Sequence, residues 1–510
     1  MHTKAKASHC SDTTVAPAEP SFFDACAGIG CFHLGMSQAG FRCVGAAEWD
    51  PSLRVRYPQA FDLDESKMFG DVRRLTTRKS WKEARDEMRG AVMIAGFPCT
   101  PWAKSGKQTG KKHTEGKVFW SLLTMMKSLD SPAFIFENVT NLLGDKHTTV
   151  WRQMRRELGK RGYHIGYEKI STRDVGVPQN RNRVFIVGVR AAEGEETIND
   201  FFAEEFSQIK DLGTNISTLS SILDEAPTDG HSLSDSHHAA LLVWDEYLKW
   251  IKEDKEKVLI NDLPKPLWGM EAHYRSLYDI EKLQTELDNS DEGALNYDQL
   301  IGSLTKVARK KADGLEYEKI VEEFLPPYYR RIARGIGPNY PSRVKFASNS
   351  RDHMRLLEEW VTANHDKTTW SDWLARLMDQ DPSFQKFEWH LGRDLPNRAW
   401  AANEQARLGT RFGNHLVQFR SSGIRVSSKD TFPTLVAIGQ VPYTGRPLRQ
   451  PHWKTLARLQ SIPSEHIRVN EELFGTNGEP VRRLGNAVNV RIVEEIGIRL
   501  APYITPYAHA

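Results

Sequence analysis

One cysteine stands directly after a short apolar run, and its position suits chemistry. Residues 91–95 read AVMIA, and Gly96-Phe97-Pro98-Cys99 follows them. An apolar run that ends at Gly and Pro predicts a buried strand leading into a tight turn at the carboxyl edge of a sheet, where open α/β sheets bind ligands. Cys99 is therefore a candidate nucleophile, and a small buried thiol in the core is the alternative.

The segment after Cys99 is cationic. Residues 104–117 contain five lysines, three glycines and one acid, a composition that cannot form a core. A glycine-hinged loop beside a nucleophile suits a lid that closes over substrate, and its lysines suit a phosphate backbone. An ordinary solvated surface loop is the alternative.

Two glycines and an acid earlier in the chain have the spacing of a nucleotide-binding turn. Gly28 and Gly30 follow a predicted strand, and their backbone amides could approach a ligand closely. Glu48 lies 20 residues after Gly28, the offset at which a nucleotide-binding fold places an acid on a ribose hydroxyl, and Trp49 could stack on an adenine. An ordinary tight turn is again the alternative.

A further acid and two arginines could complete a site. Glu137 follows the apolar residues 133–136, where a carboxyl could serve chemistry or cap a helix. Arg181 and Arg183 are two positions apart in an extended segment, so both guanidinium groups could face one site. Ordinary surface arginines are the alternative.

The elements that must position these residues have an alternating order. Strand and helix patterns alternate from residue 21 to residue 190, which predicts an α/β fold with a mostly parallel sheet and helices on both faces. After that the rhythm stops, and helical stripes mix with Pro-rich, basic and aromatic connectors. The expected divisions are a disordered tail (1–19), a catalytic and cofactor-binding domain (20–194), a second domain with a helical insertion (195–430) and a segment that completes the first domain (431–510).

Composition bounds the class of protein. The 510 residues are too many for one ordinary core, and 39% hydrophobic residues are enough to build two. The net charge is only +3, so a nucleic-acid surface would need local segregation of charge. No secretory or membrane-spanning segment is found, so we expect a soluble cytoplasmic protein. The five cysteines contain no CxxC pair, which favours free thiols and no metal site: Cys10, Cys26, Cys31, Cys43 and Cys99.

Six short motifs follow one another along the chain: residues 24–30 (DACAGIG), 48–50 (EWD), 96–99 (GFPC), 137–139 (ENV), 179–183 (QNRNR) and 485–488 (GNAV). Together they resemble the DNA cytosine-5 methyltransferase family. Each is weak alone, but their order, spacing and joint occurrence are those of the family over about residues 21–190 and 431–500. The resemblance implies an S-adenosylmethionine-dependent, Rossmann-like catalytic domain and a separate, smaller target recognition domain in residues 195–430.

The family chemistry would give each catalytic residue a role. Cys99 would add to C6 of a flipped-out cytosine, so that the poorly nucleophilic C5 becomes able to attack the methyl group of S-adenosylmethionine, with S-adenosylhomocysteine as product. Glu137 would stabilise the N3 edge of the base. Arg181 would hold the O2 edge and, with Arg183, would order the catalytic loop.

The resemblance also implies cofactor and DNA contacts. Glu48 would bind the ribose hydroxyls, Asp71 the adenine amino group and Asn486 the methionine part of the cofactor. The expected cofactor residues are Gly28, Gly30, Glu48, Trp49, Asp71, Val72, Pro98, Val118, Asn486 and Val488, and the expected DNA contacts are Lys104, Ser105, Lys107, Lys111, Lys112 and Thr434. Two residues depart from the family, which commonly has Phe at Cys26 and Gln at Thr100.

The expected function is methylation of cytosine C5 in a short sequence of double-stranded DNA by a bacterial, monomeric enzyme. Its functional partner would be a cognate restriction endonuclease encoded nearby. One alternative is a transfer RNA cytosine-5 methyltransferase, but that branch carries a Cys-Phe-Thr signature and this chain has no cysteine after Cys99. The other is an inactive DNA-recognition module, against which the intact motifs argue. The recognised DNA sequence and the role of residues 237–378 do not follow from the sequence.

Overall fold

The computed structural model groups the chain into two compact units, which we call unit 1 and unit 2. Unit 1 comprises Met1–Ala226, Asp430–Gly439 and Trp453–Ala510, and unit 2 comprises Pro227–Lys429 and Gln440–His452. The structure describes residues 19–98, 117–192, 195, 200–214, 218–223, 231–233, 237–238, 241, 282, 285–286, 295–325, 333, 413, 415–420, 423–428, 431–437 and 440–504.

A seven-stranded sheet lies at the centre of the described part of unit 1. Its strands are β1 (Ser21–Asp24), β2 (Arg42–Ala47), β3 (Met68–Phe69), β4 (Val92–Gly96), β5 (Ala133–Val139), β6 (Tyr163–Ser171) and β8 (Asn182–Arg190), and β7 (Gln179–Asn180) lies outside it. The order is β3-β2-β1-β4-β5-β8-β6. Neighbours from β3 to β5 are parallel, whereas β8 is antiparallel to both β5 and β6. The predicted mostly parallel sheet is confirmed.

Helices cover both faces of this sheet. On β1, the Phe22 ring contacts His33 with 5.3 Å between centroids, and the Phe23 ring contacts Trp81 at 5.5 Å. Because successive side chains of a strand point to opposite faces, these contacts place the helix of residues 31–38 and the helix of residues 79–84 on opposite sides of the sheet. The helices before residue 226 are α1 (Cys31–Gln38), α2 (Pro51–Phe61), α3 (Val72–Leu75), α4 (Lys79–Ala84), α5 (Val118–Leu129), α6 (Thr148–Gly159), α7 (Ala203–Lys210) and α8 (Leu219–Leu223).

The end of the chain returns to unit 1. The strand β11 (Phe432–Pro433) pairs with β7 in parallel. The last helix packs on α1 so closely that a Cβ at Gly35 would lie 2.6 Å from Cβ of Val493. The helices of this segment are α12 (Trp453–Arg458), α13 (Ser464–Val469), α14 (Glu471–Phe474), α15 (Glu479–Asn486) and α16 (Val490–Ile504). None of the described helices is long and apolar enough to cross a membrane.

The described part of unit 2 contains a helical group and a hairpin. The Tyr317 hydroxyl lies 2.9 Å from the carbonyl of Leu295 and 2.8 Å from that of Ala333. The Val417 N–H donates to the Tyr443 carbonyl at 2.9 Å, so residues after 440 add to the hairpin. The elements are α9 (Tyr297–Ser303), α10 (Lys306–Ala312), α11 (Tyr317–Phe324), β9 (His415–Arg420) and β10 (Gly423–Ser428).

The bounds of the units differ from the predicted domain bounds in two places. Residues 195–226 belong to unit 1, because α7 packs against α16 with 6.1 Å between the Phe202 and Tyr503 rings. Residues 440–452 belong to unit 2 through the pairing of Val417 with Tyr443. The sequence placed one boundary where the alternation of strands stops, but a helix after the last strand still covers the sheet.

Candidate active site

The predicted site residues come from the carboxyl ends of neighbouring strands. Because β1, β4 and β5 are adjacent and parallel, the segments that follow Asp24, Gly96 and Val139 lie along one edge of the sheet. Gly96 is the register partner of Glu137, so this acid stands beside the strand that leads toward Cys99. Cys99, Thr100 and the predicted DNA contacts Lys104, Ser105, Lys107, Lys111 and Lys112 lie outside the described residues.

Glycine is required for different reasons at the two positions that follow β1. Both have a positive φ, 53° at Gly28 and 76° at Gly30, a conformation that favours glycine. A Cβ at Gly30 would lie 2.1 Å from Cζ of Phe61, whereas a Cβ at Gly28 would meet nothing within 4 Å. Gly30 is therefore needed for packing, and Gly28 borders open space where a ligand could approach the backbone.

Glu48 is tied to this turn by its carboxylate. Its Oε2 accepts a hydrogen bond from the Gly28 N–H at 2.8 Å, and its Oε1 accepts one from the Asp50 N–H at 2.9 Å. Burial raises the pKa of Glu48, although these backbone hydrogen bonds oppose the shift. The neighbouring Trp49 is 68% exposed and is free of the core. The turn thus presents a fixed acid and an exposed aromatic side by side.

Asp71 is already engaged with a neighbour. It caps α3 by accepting from the Arg73 N–H at 2.9 Å, and its Oδ2 lies 2.6 Å from Nη2 of Arg73. This hydrogen-bonded pair holds the pKa of Asp71 below its usual value. Val72 and Val118, the predicted apolar contacts, are buried in the same core cluster. Contact of Asp71 with an adenine amino group would have to use a lone pair that Arg73 leaves available.

Asn138 supports the turn toward Cys99, a role that the sequence did not predict. Its Nδ2 donates to the Phe97 carbonyl at 3.1 Å, and its Oδ1 accepts from the Val139 N–H at 2.9 Å. The side chain is fully buried. Because Pro98 comes next, the amide of Asn138 fixes the backbone that enters the segment of Cys99. A polar amide at the end of an apolar strand, next to the predicted acid, was the available signal.

The buried Glu137 forms an ion pair with the half-buried Arg183. The Arg183 Nε lies 2.8 Å from Glu137 Oε1, and the side chains are 15% and 9% exposed. Burial raises the pKa of Glu137, while the charges of Arg183 and Arg181 oppose the increase. A carboxyl in such an environment can hydrogen-bond as an acid or as a carboxylate, which suits stabilisation of charge on a bound base.

Arg181 does not share this position with Arg183. Its Nη1 donates to the Leu435 carbonyl at 3.0 Å, and its Nη2 donates to the carbonyls of Gly485, at 3.1 Å, and Ala487. The side chain is only 1% exposed. Two guanidinium groups of the same strand parity therefore have different hydrogen-bond partners, although the charge of each acts on Glu137. Strand parity cannot foresee that a segment 254 residues later supplies the acceptors for one of them.

The C-terminal motif brings the last predicted residues to unit 1. Asn486 is exposed at the end of α15 and Val488 is buried. Thr434, a predicted DNA contact, donates its hydroxyl to the Asn180 carbonyl. That hydroxyl therefore already bonds to protein. Within the described ranges, no group of His, Cys, Asp and Glu is arranged to hold a metal ion.

Comparison with known proteins places the chain in a family. Residues 21–501 match the family described as C-5 cytosine-specific DNA methylase. Type II methyltransferase M.AluI of Cellulosimicrobium cellulans is 26% identical over 531 aligned positions, which cover 94% of this chain and 92% of that protein. Type II methylase M.HgiEI of Herpetosiphon aurantiacus is 31% identical, over 62% of this chain and 74% of that protein.

Some relatives match over a shorter region. Type II methyltransferase M.HgiCII, also of Herpetosiphon aurantiacus, is 31% identical over 211 residues. That match covers 40% of this chain and spans about half of the relative, 46% of its length. The match to the family itself extends over most of the sequence. The chain belongs to the C-5 cytosine-specific DNA methylase family.

Proposed function

We propose that this chain transfers the methyl group of S-adenosylmethionine to C5 of cytosine in a short sequence of double-stranded DNA. The observation that carries the proposal is the ion pair between the buried Glu137 and Arg183, in which Glu137 lies on the strand next to the one that leads toward Cys99. The turn of Gly28 and Glu48 follows β1, which is also a neighbour of β4. One edge thus carries an acid for a base and a backbone turn for a cofactor.

The residues of the turn fit the proposed cofactor. S-adenosylmethionine would supply an electrophilic methyl group. Glu48, whose oxygens are already oriented by Gly28 and Asp50, would accept hydrogen bonds from the ribose hydroxyls. The exposed Trp49 ring would stack on the adenine. The open space next to Gly28 would admit the cofactor close to the backbone.

The chain's own groups would then drive the chemistry at the base. The Cys99 thiolate adds to C6, and the π electrons of the C5–C6 bond move toward C5, which takes the methyl group. Glu137 hydrogen-bonds to N3 and stabilises charge there as the thiolate adds. Loss of the C5 proton to a base or water expels Cys99 and restores the ring. The cytosine must first leave the duplex stack, because the ring faces are blocked within it.

We reassign the contact with the O2 edge of the base from Arg181 to Arg183. Arg181 donates hydrogen bonds to three backbone carbonyls, whereas Arg183 forms an ion pair with the Glu137 carboxylate. A group that stabilises a bound base must be close to the acid that also contacts the base. Arg181 would then act on the site only by holding the C-terminal segment.

The biological setting is inferred from named relatives. M.AluI and M.HgiEI are named as Type II enzymes, so we place this chain in a bacterial restriction-modification system with a cognate endonuclease encoded nearby. A monomer in the cytoplasm would suffice, since each target cytosine is modified singly. Lysines of residues 104–112 would contact DNA phosphates.

Transfer of labelled methyl from S-adenosylmethionine to mixed-sequence duplex DNA tests the proposal. Transfer RNA is assayed in parallel, and bisulfite sequencing maps the product. We expect label in DNA at cytosines of one short motif, and none with Cys99→Ser, which should still bind that motif. Label in RNA alone would favour the RNA enzyme, and label in neither would favour the inactive module.

A further inference from the structure

A buried arginine of the C-terminal segment reaches the start of α2. Arg483 lies on α15 and is 6% exposed. Its Nη2 donates to the Ser52 hydroxyl at 2.8 Å, and its Nη1 donates to the Leu473 carbonyl at 2.7 Å. Nη2 also lies 3.3 Å from Oε2 of Glu479. A buried charge is costly unless it is paired in this way, so the position of this guanidinium is tightly specified.

Ser52 is also hydrogen-bonded to Asp50, which is bonded to Glu48 beside the glycine turn. The Ser52 N–H donates to Asp50 Oδ1 at 2.8 Å, and the Asp50 N–H donates to Glu48 Oε1 at 2.9 Å. The other oxygen of Glu48 accepts from the Gly28 N–H at 2.8 Å. Hydrogen bonds therefore link Arg483 to the glycine turn residue by residue, through Ser52, Asp50 and Glu48, and all of these residues belong to unit 1.

The electrostatics of Asp50 agree with this connection. Partial burial alone would raise its pKa, but hydrogen bonds from Ser52 and the charge of Arg483 hold the pKa below its usual value. The guanidinium thus acts on the carboxylate that organises the residues after Glu48. This effect joins a segment near residue 50 to one more than 400 residues later.

We propose that Arg483 is a positioning residue for the cofactor site, a proposal that rests on the proposed function. It holds the ribose- and adenine-binding segment of Glu48 and Trp49 against α15, the helix that leads to the methionine-binding Asn486 and Val488. Its role is to keep the two parts of one binding site at a fixed separation. Arginine suits this role because its planar fork supplies donors in two directions, which lysine cannot do with one ammonium group.

Cofactor affinity measured without DNA is the primary test. Equilibrium dialysis of labelled S-adenosylmethionine against Arg483→Gln should show a dissociation constant raised about tenfold or more, because hydrogen bonds to charged groups are worth roughly that factor. The KM for S-adenosylmethionine should rise in parallel. At saturating cofactor, kcat and the KM for DNA should stay within about twofold of wild type. Arg483→Lys should give only partial rescue.

Two further variants separate positioning from simple stabilisation. Arg482→Gln removes the neighbouring arginine, which is exposed and, among the described residues, pairs with Glu479 at 3.5 Å, and it should leave cofactor affinity unchanged. Ser52→Ala removes only the hydroxyl that receives Arg483, so it should fold and should weaken cofactor binding about threefold to tenfold. The double variant Ser52→Ala with Arg483→Gln should bind cofactor about as weakly as Arg483→Gln alone, because both substitutions remove the same contact.

The outcomes distinguish this inference from the proposed function. Wild-type protein that binds no S-adenosylmethionine would overturn the proposed function and this inference with it. Wild-type binding together with unchanged binding by Arg483→Gln and Ser52→Ala would overturn only the inference. A lower melting temperature with unaltered cofactor affinity would make Arg483 a structural link between α15 and α2 and nothing more.

Discussion

At the scale of single residues, Arg181 and Arg183 have different partners in the structure. Arg183 pairs with the buried carboxylate of Glu137, and Arg181 binds carbonyls of residues 435–487. Both are charged and lie two positions apart in sequence, so a sequence pattern alone treats them alike. Their substitution by lysine should therefore affect different properties of the protein.

Arg183→Lys should lower kcat by about 10²-fold or more while the melting temperature stays close to that of wild type. Lysine keeps the charge near Glu137 but loses the planar fork that the proposed contact with the base requires. Single-turnover methylation at saturating DNA and cofactor measures the chemical step directly.

Arg181→Lys serves as the matched comparison and should show the opposite behaviour. One ammonium group cannot satisfy carbonyls that diverge, so the free energy of unfolding should fall by about 1.5–3 kcal/mol, the range for hydrogen bonds made by a charged group. Urea unfolding followed by fluorescence gives this value. If Arg181→Lys instead lost catalysis at unchanged stability, Arg181 would be the arginine that contacts the base.

At the scale of elements, α15 packs on the loop at residues 435–437 without any space for a side chain. A Cβ at Gly485 would lie 2.6 Å from the Ala437 nitrogen and 2.6 Å from the carbonyl carbon of Val436. Both are backbone atoms, and Arg181 holds the same loop through the Leu435 carbonyl. Neither surface can yield by a change of rotamer.

Gly485→Ala should therefore destabilise unit 1 by about 1–3 kcal/mol or more, as overpacking of a close contact does. Gly478→Ala is the matched control, because a Cβ at Gly478, at the other end of α15, meets nothing within 4 Å. Gly478 is the N-cap of α15, where glycine is preferred to alanine, so this variant should cost about 0.5–1 kcal/mol, less than Gly485→Ala. Equal melting temperatures for the two variants would mean that the loop and α15 separate readily.

Elements of local character were predictable from the sequence, and elements that depend on distant partners were not. The strands β1, β2, β4, β5 and β8 are formed by largely apolar segments, because a strand that is buried on both faces needs apolar side chains. The two-residue pairing of β7 with β11 has no such pattern. The same limit applies to the site: Glu48 and Glu137 stood out by their positions, whereas the partners of Arg181 and Arg483 lie hundreds of residues away.

At the scale of the whole molecule, we expect the pH dependence of stability to reflect a buried cluster of Asp24, His33 and Tyr57. Tyr57 donates its hydroxyl to Asp24 Oδ2 at 3.0 Å and lies 2.9 Å from Nδ1 of His33. Burial is the main reason that the pKa of Asp24 rises from 3.8 to about 7, with Glu48 also raising it and Tyr57 opposing the rise. Burial, with the charge of His466, lowers the pKa of His33 from 6.5 to about 3.

These two groups act on stability in opposite directions. Between pH 4 and 7, folded Asp24 retains a proton that the unfolded chain has lost, so its contribution to stability falls as pH rises, by at most about 1.4 kcal/mol per pH unit. Below pH 6.5 the unfolded chain protonates His33 and the folded protein does not, so that contribution falls as pH decreases. In wild type the two slopes offset each other over the shared range.

In Asp24→Asn, the dependence of unfolding free energy on pH should show the contribution of His33 alone. The unfolding midpoint of this variant in urea should drop more steeply than that of wild type as pH is lowered from 7 to 5, because the proton uptake that favours the folded state at acid pH is gone. The destabilisation caused by the substitution is thus largest at pH 5. Adding His33→Gln should flatten the profile again, since neither group then titrates in this range. Parallel profiles for wild type and Asp24→Asn would show that Asp24 stays charged in the folded protein throughout, with Tyr57 and the surrounding backbone stabilising the carboxylate more strongly than burial opposes it.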